Sequence, residues 1–135
     1  MNLEHNELKK KFGKNIIFHE NLSKYSWFNL GGPAKILFKP EDISELVNFL
    51  KYINNSLKIT CLGAGSNTLI RDGGFSGVVI KLSPKFSFIK KIDENILEVG
   101  AATLDKTLSR YAAENSIADF EFLSCIPGSI GGTIK

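Results

Sequence analysis

The chain has 135 residues, of which 43% are hydrophobic and 23% charged. This composition is close to the globular average and excludes a disordered chain, while a net charge of +3 spread along the sequence argues against a nucleic-acid partner. Cys61 and Cys125 are the only cysteines and neither belongs to a CxxC pair, which argues against a zinc site or a disulfide framework.

The first half of the chain alternates predicted helices and strands. A weak apolar face predicts a helix over 2–12, and short strands are predicted at 15–18 and 34–38. Apolar residues at steps of three and four then predict a helix over 42–54, followed by a compact strand at 58–62. The strand at 34–38, this helix and the strand at 58–62 together indicate a βαβ unit.

The second half of the chain predicts another strand, a hairpin and a helix. The strand is predicted at 78–82, and the hairpin turns at 93–95 and returns along 96–99. Thr103 is a candidate cap for a helix that carries Leu104, Leu108, Tyr111 and Ala112 on one side.

The first candidate site is the loop Leu62-Gly63-Ala64-Gly65-Ser66-Asn67-Thr68-Leu69, which follows the strand at 58–62. Glycines let the backbone approach a ligand closely and point consecutive N–H groups at an anion. A Walker loop is excluded because the only Gly-Lys pair, Gly13-Lys14, is followed by Asn15. A dinucleotide-binding fingerprint is disfavoured because the third glycine, the following helix and the later acidic residue are all missing.

The second candidate site is the segment Ile126-Pro127-Gly128-Ser129-Ile130-Gly131-Gly132, which again combines glycines with a rigid proline. We expect its backbone N–H groups to face outward as well. Two such loops in one short chain predict a diphosphate ligand that bridges both. A third segment, Ser26 to Ala34, contains Trp27 and Phe28, for which a hydrophobic staple is favoured over contact with a ligand ring.

Taken in order and spacing, these three motifs resemble the UDP-N-acetylenolpyruvoylglucosamine reductase family, also called UDP-N-acetylmuramate dehydrogenase. The resemblance runs from about residue 21 to residue 135. It implies an α+β fold, namely an FAD-binding domain of the vanillyl-alcohol-oxidase type with two small α+β subdomains, here truncated. The implied organisation is an N-terminal helix and strand at 1–24, a first subdomain at 25–83 and an incomplete second subdomain at 84–135, without the substrate-binding domain.

The resemblance also implies a cofactor and the residues that hold it. FAD would be bound non-covalently, since no histidine lies near the first loop. The first loop would cradle its diphosphate and the second would line its other side. The implied contacts are Leu62, Gly63, Ala64, Gly65, Ser66, Asn67, Thr68 and Leu69 in the first loop, and Ile126, Pro127, Gly128, Ser129, Gly131 and Gly132 in the second.

The implied reaction is a two-step hydride relay, in which NADPH reduces the flavin and the flavin reduces a UDP-sugar bearing an enolpyruvyl group. The catalytic residues of the family would lie beyond Lys135, so the isolated chain is expected to be inactive. Without an apolar leader or a membrane span, we expect a cytoplasmic protein with no membrane partner. Two alternatives stay open, namely another flavin oxidase of the same fold and a non-catalytic nucleotide-binding module.

Overall fold

The computed structural model describes residues 5–53 and 56–135, so the predicted helical residues 2–4 and residue 54 lie outside the described ranges. The described chain contains four α-helices and six strands, joined in places by short 3-10 turns. In chain order they are α1 (His5–Phe12), β1 (Ile16–Asn21), β2 (Pro33–Phe38), α2 (Ile43–Ile53), β3 (Ile59–Cys61), β4 (Phe75–Ile80), β5 (Ile89–Asp93), β6 (Ile96–Val99), α3 (Asp105–Glu114) and α4 (Ile130–Thr133).

The first four strands form one sheet in the order β1-β2-β4-β3. β1 is antiparallel to β2, whereas β2, β4 and β3 are parallel to one another. The predicted βαβ unit is therefore present, but β4 lies between its two strands. The three parallel strands end at the same edge, which is where ligands bind in open α/β sheets.

Apolar residues on both faces of the central strands explain why this sheet is covered on both sides. On one face Ile36, Phe38, Val78 and Ile80 pack against α1 and α2, and the ring of Phe38 stacks on that of Phe49 at a centroid distance of 3.9 Å. On the other face Leu37 and Val79 join a second cluster with Leu22, Ala34 and Leu62. Near-continuous apolar runs are typical of parallel strands buried on both faces.

The remaining elements form a second lobe, made of the β5–β6 hairpin, α3 and α4. The hairpin is an antiparallel two-stranded sheet. α3 buries Leu108 and Ala112 beside Leu123. We refer to α1, α2 and the four-stranded sheet as the first lobe, and the combination confirms the predicted α+β class.

Two local predictions are wrong in this part of the chain. Thr103 does not cap α3, because its hydroxyl bonds the backbone N–H and carbonyl of Phe88 at 3.1 and 3.2 Å and so ties the helix start to the hairpin. The strand predicted at 78–82 begins earlier and ends earlier, at Phe75–Ile80. Among the described residues, none of the helices combines the length and the hydropathy of a membrane-spanning segment.

Candidate functional site

A cavity of about 510 Å³ lies where the two lobes meet. The first lobe supplies Leu46 and Leu50 of α2 and the segment after β3, and the second lobe supplies Ala101 and Leu104. Both predicted loops reach this cavity, through Leu62, Gly63 and Ala64 from the first and Ser129, Gly131 and Gly132 from the second. Cavities of this size and mostly apolar lining are typical of small-molecule sites.

The first loop keeps its backbone donors free. Within residues 5–53 and 56–135, the five consecutive N–H groups from Gly63 to Asn67 donate no hydrogen bond to a protein acceptor. The N–H of Leu62, just before them, is still bonded to the carbonyl of Ile80 at 2.9 Å. The sheet ladder therefore ends at the point where a run of unpaired donors begins, and such a run suits an anion.

Gly65 fixes the path of this loop. Its φ of +74° lies in the left-handed region, and a Cβ there would fall on the carbonyl oxygen of Tyr25. The segment around Tyr25 also braces the loop, because the N–H of Trp27 donates to the carbonyl of Gly65 at 3.0 Å and the Ser26 hydroxyl donates to that of Thr68 at 3.0 Å. Only a glycine combines that φ with so close a contact at low cost.

The two loops touch at Gly63 and Ser129. A Cβ built on Gly63 would lie 2.8 Å from the Ser129 hydroxyl oxygen, which is closer than side chains approach one another. The missing side chain at Gly63 leaves room for the Ser129 hydroxyl in this position. The structure thus brings the two predicted loops together.

The second loop is held differently from the prediction. The N–H groups of Ile130 and Gly131 donate to the carbonyls of Thr103 and Ala101 at 2.9 and 3.0 Å, and that of Gly132 donates to Ser129 at 2.8 Å. The expectation that the N–H groups of this loop face outward is wrong at these three positions. These three donors form the first turn of the short helix α4 and its bonds to the segment at 101–103, whereas the N–H groups of Gly128 and Ser129 donate no hydrogen bond within the described part of the chain.

A buried carboxylate anchors the second loop. Asp105, at the start of α3, is fully buried, and its Oδ2 accepts a hydrogen bond from the Thr133 hydroxyl at 2.7 Å. Its backbone N–H donates to the carbonyl of Gly128 at 3.2 Å. A Cβ on Gly128 would lie 2.6 Å from the same Oδ2, so this glycine serves the packing of the loop on α3.

Lys81 is a site residue that the sequence reasoning missed. It follows β4 directly and lines the cavity, and its Nζ donates to the carbonyl oxygen of Gly63 at 2.6 Å. Burial, and to a smaller extent the charge of Lys39, lower the pKa of Lys81 from its ordinary value of 10.5. The predicted strand at 78–82 placed Lys81 inside the strand. The observed strand ends at Ile80, so Lys81 lies at the ligand-binding edge of the sheet.

Several other predicted residues lie outside the cavity lining. These are Gly65, Ser66, Asn67, Thr68 and Leu69 of the first loop, with 71% of Leu69 exposed, and Ile126, Pro127 and Gly128 of the second loop. Trp27 and Phe28 are 63% and 51% exposed, so the predicted hydrophobic staple is wrong. Cys61 and Cys125 are free thiols, and residues 5–53 and 56–135 contain no cluster of His, Cys, Asp and Glu that could hold a metal ion.

These features fit a flavin dinucleotide. A dinucleotide carries a diphosphate between two flat ring systems, so it needs anion donors and an apolar slot side by side. The unpaired N–H groups of the first loop and the Lys81 ammonium provide the former, and the wall that includes Leu50 and Leu104 provides the latter. A Cβ at Gly63 would meet the Ser129 hydroxyl and one at Gly131 would meet Ala101, so both glycines allow close packing of the segments beside the slot.

Known proteins resemble this chain in sequence and in structure. The UDP-N-acetylenolpyruvoylglucosamine reductase of Pelagibacter ubique is 48% identical over 130 residues, which are 96% of this chain and 42% of that protein. The enzyme of the same name from Rickettsia canadensis is 50% identical over 112 residues, covering 83% of this chain and 38% of the relative. The crystal structure of UDP-N-acetylenolpyruvylglucosamine reductase from Thermus caldophilus matches with a TM-score of 0.68 and 32% identity, over 89% of this chain and 40% of that one.

The chain therefore spans about 40% of the length of the relatives it matches. The resemblance inferred from the three motifs is confirmed, as is the predicted fold. A family model described as an FAD binding domain matches residues 34–135, which include both loops, Lys81 and every wall of the cavity. By that match over most of its length, the chain belongs to the FAD binding domain family.

Proposed function

We propose that this chain is the FAD-binding part of a reductase that converts UDP-N-acetylglucosamine enolpyruvate to UDP-N-acetylmuramate in peptidoglycan synthesis, with NADPH as reductant. The observation that carries the proposal is the meeting of two glycine loops at one cavity, where free backbone donors lie beside a lysine. The names of the relatives support the choice of substrate. Because the chain spans about 40% of their length, we place the catalytic groups and the binding sites for NADPH and the UDP-sugar outside these 135 residues.

The proposed cofactor contacts divide between the two loops. The backbone donors of Gly63 and Ala64, which line the cavity, would bind the diphosphate, and the first loop as a whole, Leu62 to Leu69, would shape the site. From the second loop, Ser129, Gly131 and Gly132 would contact the cofactor directly. Ile126, Pro127 and Gly128 would act by fixing the path of that loop, as the contact of Gly128 with Asp105 indicates.

When bound at this cavity, FAD would supply the hydride-transfer chemistry that links NADPH to the enolpyruvyl double bond. The residues of this chain contribute binding, orientation and the exclusion of water. Leu46, Leu50 and Ile80 give the cavity an apolar wall, which removes water from around bound rings and strengthens nearby hydrogen bonds. No residue of this chain is proposed to transfer a proton, so the isolated chain would bind the cofactor without turning over substrate.

The proposed domain division follows the two lobes. We place the first subdomain at 25–83, the second from 84 onward and the N-terminal helix and strand at 1–24. β1 is nevertheless hydrogen-bonded along its length to β2, so residues 16–21 extend the sheet of the first subdomain. The proposed location is the cytoplasm, which two free cysteines fit.

Flavin retention tests the proposed function. The purified chain is mixed with excess FAD and desalted, and the visible flavin absorbance is compared with the protein concentration. We expect about one flavin per chain, and we expect the Gly63→Ala variant to retain less, because its Cβ would displace the Ser129 hydroxyl at the point where the two loops meet. Gly73→Ala is the matched control, since a Cβ there meets nothing within 4 Å.

A competition experiment separates this function from the alternatives. If the chain is a general nucleotide-binding module, ADP will displace FAD at equal or lower concentration, since the flavin ring would add nothing. A protein that stays colourless at every FAD concentration would contradict the proposal outright.

A further inference from the structure

Two lysines stand side by side where the parallel strands end. Lys39 follows β2 and Lys81 follows β4, and the last residues of these strands, Phe38 and Ile80, are direct partners in the sheet. The N–H of Lys81 continues the ladder by donating to the carbonyl of Phe38 at 2.9 Å. Two adjacent cations at a sheet edge repel each other, and a compensating group beside each one offsets that cost.

Lys39 has such compensation within the protein. Its Nζ donates to the Tyr25 hydroxyl at 2.9 Å and lies 4.6 Å from the centre of the Tyr25 ring. The same hydroxyl donates to Glu20 Oε1 at 3.0 Å, which links the cation to a carboxylate through one intermediate. The charge of Lys39 is thereby partly compensated by Tyr25 and by Glu20 of β1.

Lys81 has no comparable partner. Its ammonium donates to one neutral acceptor, the Gly63 carbonyl, and forms no ion pair with any carboxylate in the described ranges. It lies 5.9 Å from the centre of the Tyr25 ring, and it is partly buried in the wall of the cavity. The ammonium has three N–H donors and uses one of them for the Gly63 carbonyl, beside an anion-binding loop. Its positive charge therefore remains uncompensated and can attract an anionic ligand.

The contact with Gly63 also orients the loop. In a trans peptide the carbonyl and the following N–H point in opposite directions. By holding the Gly63 carbonyl, the Lys81 ammonium turns the N–H of Ala64, the second of the five unpaired donors, to the opposite side of the peptide. The lysine thus connects the end of β4 to the geometry of the loop that follows β3.

We propose that Lys81 is a positioning residue for the diphosphate of a dinucleotide: it fixes the Gly63 peptide so that the N–H of Ala64 faces the diphosphate, and its positive charge attracts the diphosphate across that peptide. The inference rests on the proposed function and adds to it the residue that gives the first loop its charge. It also predicts that the contribution of this residue depends on its charge and not only on its shape.

FAD titrations at low and high salt test the charge. Lys81→Met is expected to weaken FAD binding about tenfold at low salt, or about 1.4 kcal/mol, and to make the affinity less dependent on salt. Lys81→Arg is expected to restore both properties, which a purely structural loss would not allow. Lys90→Met, in the exposed β5 strand, is the control that removes a cation far from the cavity.

A second measurement uses inorganic diphosphate and follows the melting temperature. The parent chain is expected to melt at a higher temperature with diphosphate, and folded Lys81→Met is expected to show a smaller rise. If FAD binds but Lys81→Met matches the parent in affinity and salt dependence, the inference is overturned and the proposed function stands. If diphosphate stabilises the chain through Lys81 while FAD does not bind, the proposed function fails and the role of Lys81 is supported.

Discussion

Replacing Gly65 by alanine tests whether the path of the first loop depends on a bare backbone. At a φ of +74° a Cβ costs about 1–2 kcal/mol in backbone strain. The new methyl group would also fall on the carbonyl oxygen of Tyr25, and overpacking of this kind costs about 1–3 kcal/mol. The two effects add to roughly 2–5 kcal/mol in the free energy of unfolding, and displacement of the loop should weaken FAD binding at least about tenfold.

Urea denaturation of two control variants separates these two effects. Gly13→Ala has a positive φ of +56° but meets nothing within 4 Å, so it should show the backbone strain alone, about 1–2 kcal/mol. Gly73→Ala has neither feature and should be neutral, or more stable by about 0.4–1 kcal/mol through the unfolded state. If Gly65→Ala loses no more stability than Gly13→Ala and binds FAD as the parent does, the contact with Tyr25 does not hold the loop and the reasoning is refuted.

Two further predictions concern the lysine at the site and the core. FAD affinity should fall as the pH rises through the pKa of Lys81, because the anion binds the protonated form; burial and Lys39 lower this pKa from 10.5. Fluorescence titrations across alkaline pH should show this fall. The Lys81→Arg variant should show it at a higher pH. A fall in affinity confined to the range above pH 10.5 would contradict the role of Lys81. Phe49→Ala should lower the free energy of unfolding in urea by about 3–5 kcal/mol, since its ring is fully buried and stacked. Phe28→Ala, at an exposed position, should change it by no more than about 0.5 kcal/mol. Equal effects of the two substitutions would contradict the described core.

Local patterns predicted the elements of this fold well where the signal lies within one segment. The helix predicted over 42–54 is α2, at Ile43–Ile53, because apolar spacing of three and four records which face is buried. The hairpin was predicted from its turn and is present as β5 and β6. The two glycine loops could be recognised from sequence because glycine marks positions of positive φ or close backbone approach, and proline marks a fixed φ.

Interactions between distant segments could not be predicted in the same way. The insertion of β4 between β2 and β3 depends on pairings far apart in the sequence, and β3 gives no sign that its neighbour comes later in the chain. Thr103 looks like a helix cap, but its hydroxyl has a better partner in Phe88, which only the folded hairpin brings near. Lys81 could not be singled out from sequence either, because its partner, the carbonyl of Gly63, lies in the loop that follows β3.

The contact between Gly63 and Ser129 has a consequence for how the binding site assembles. The walls of the cavity come from segments remote in sequence, so the site exists only after each half has folded and the two have docked. A ligand that occupies it favours the docked arrangement over every open one, and its stabilising effect grows with the logarithm of its concentration. Supply of the nucleotide would then govern how much of the newly made chain reaches its mature arrangement and escapes proteolysis.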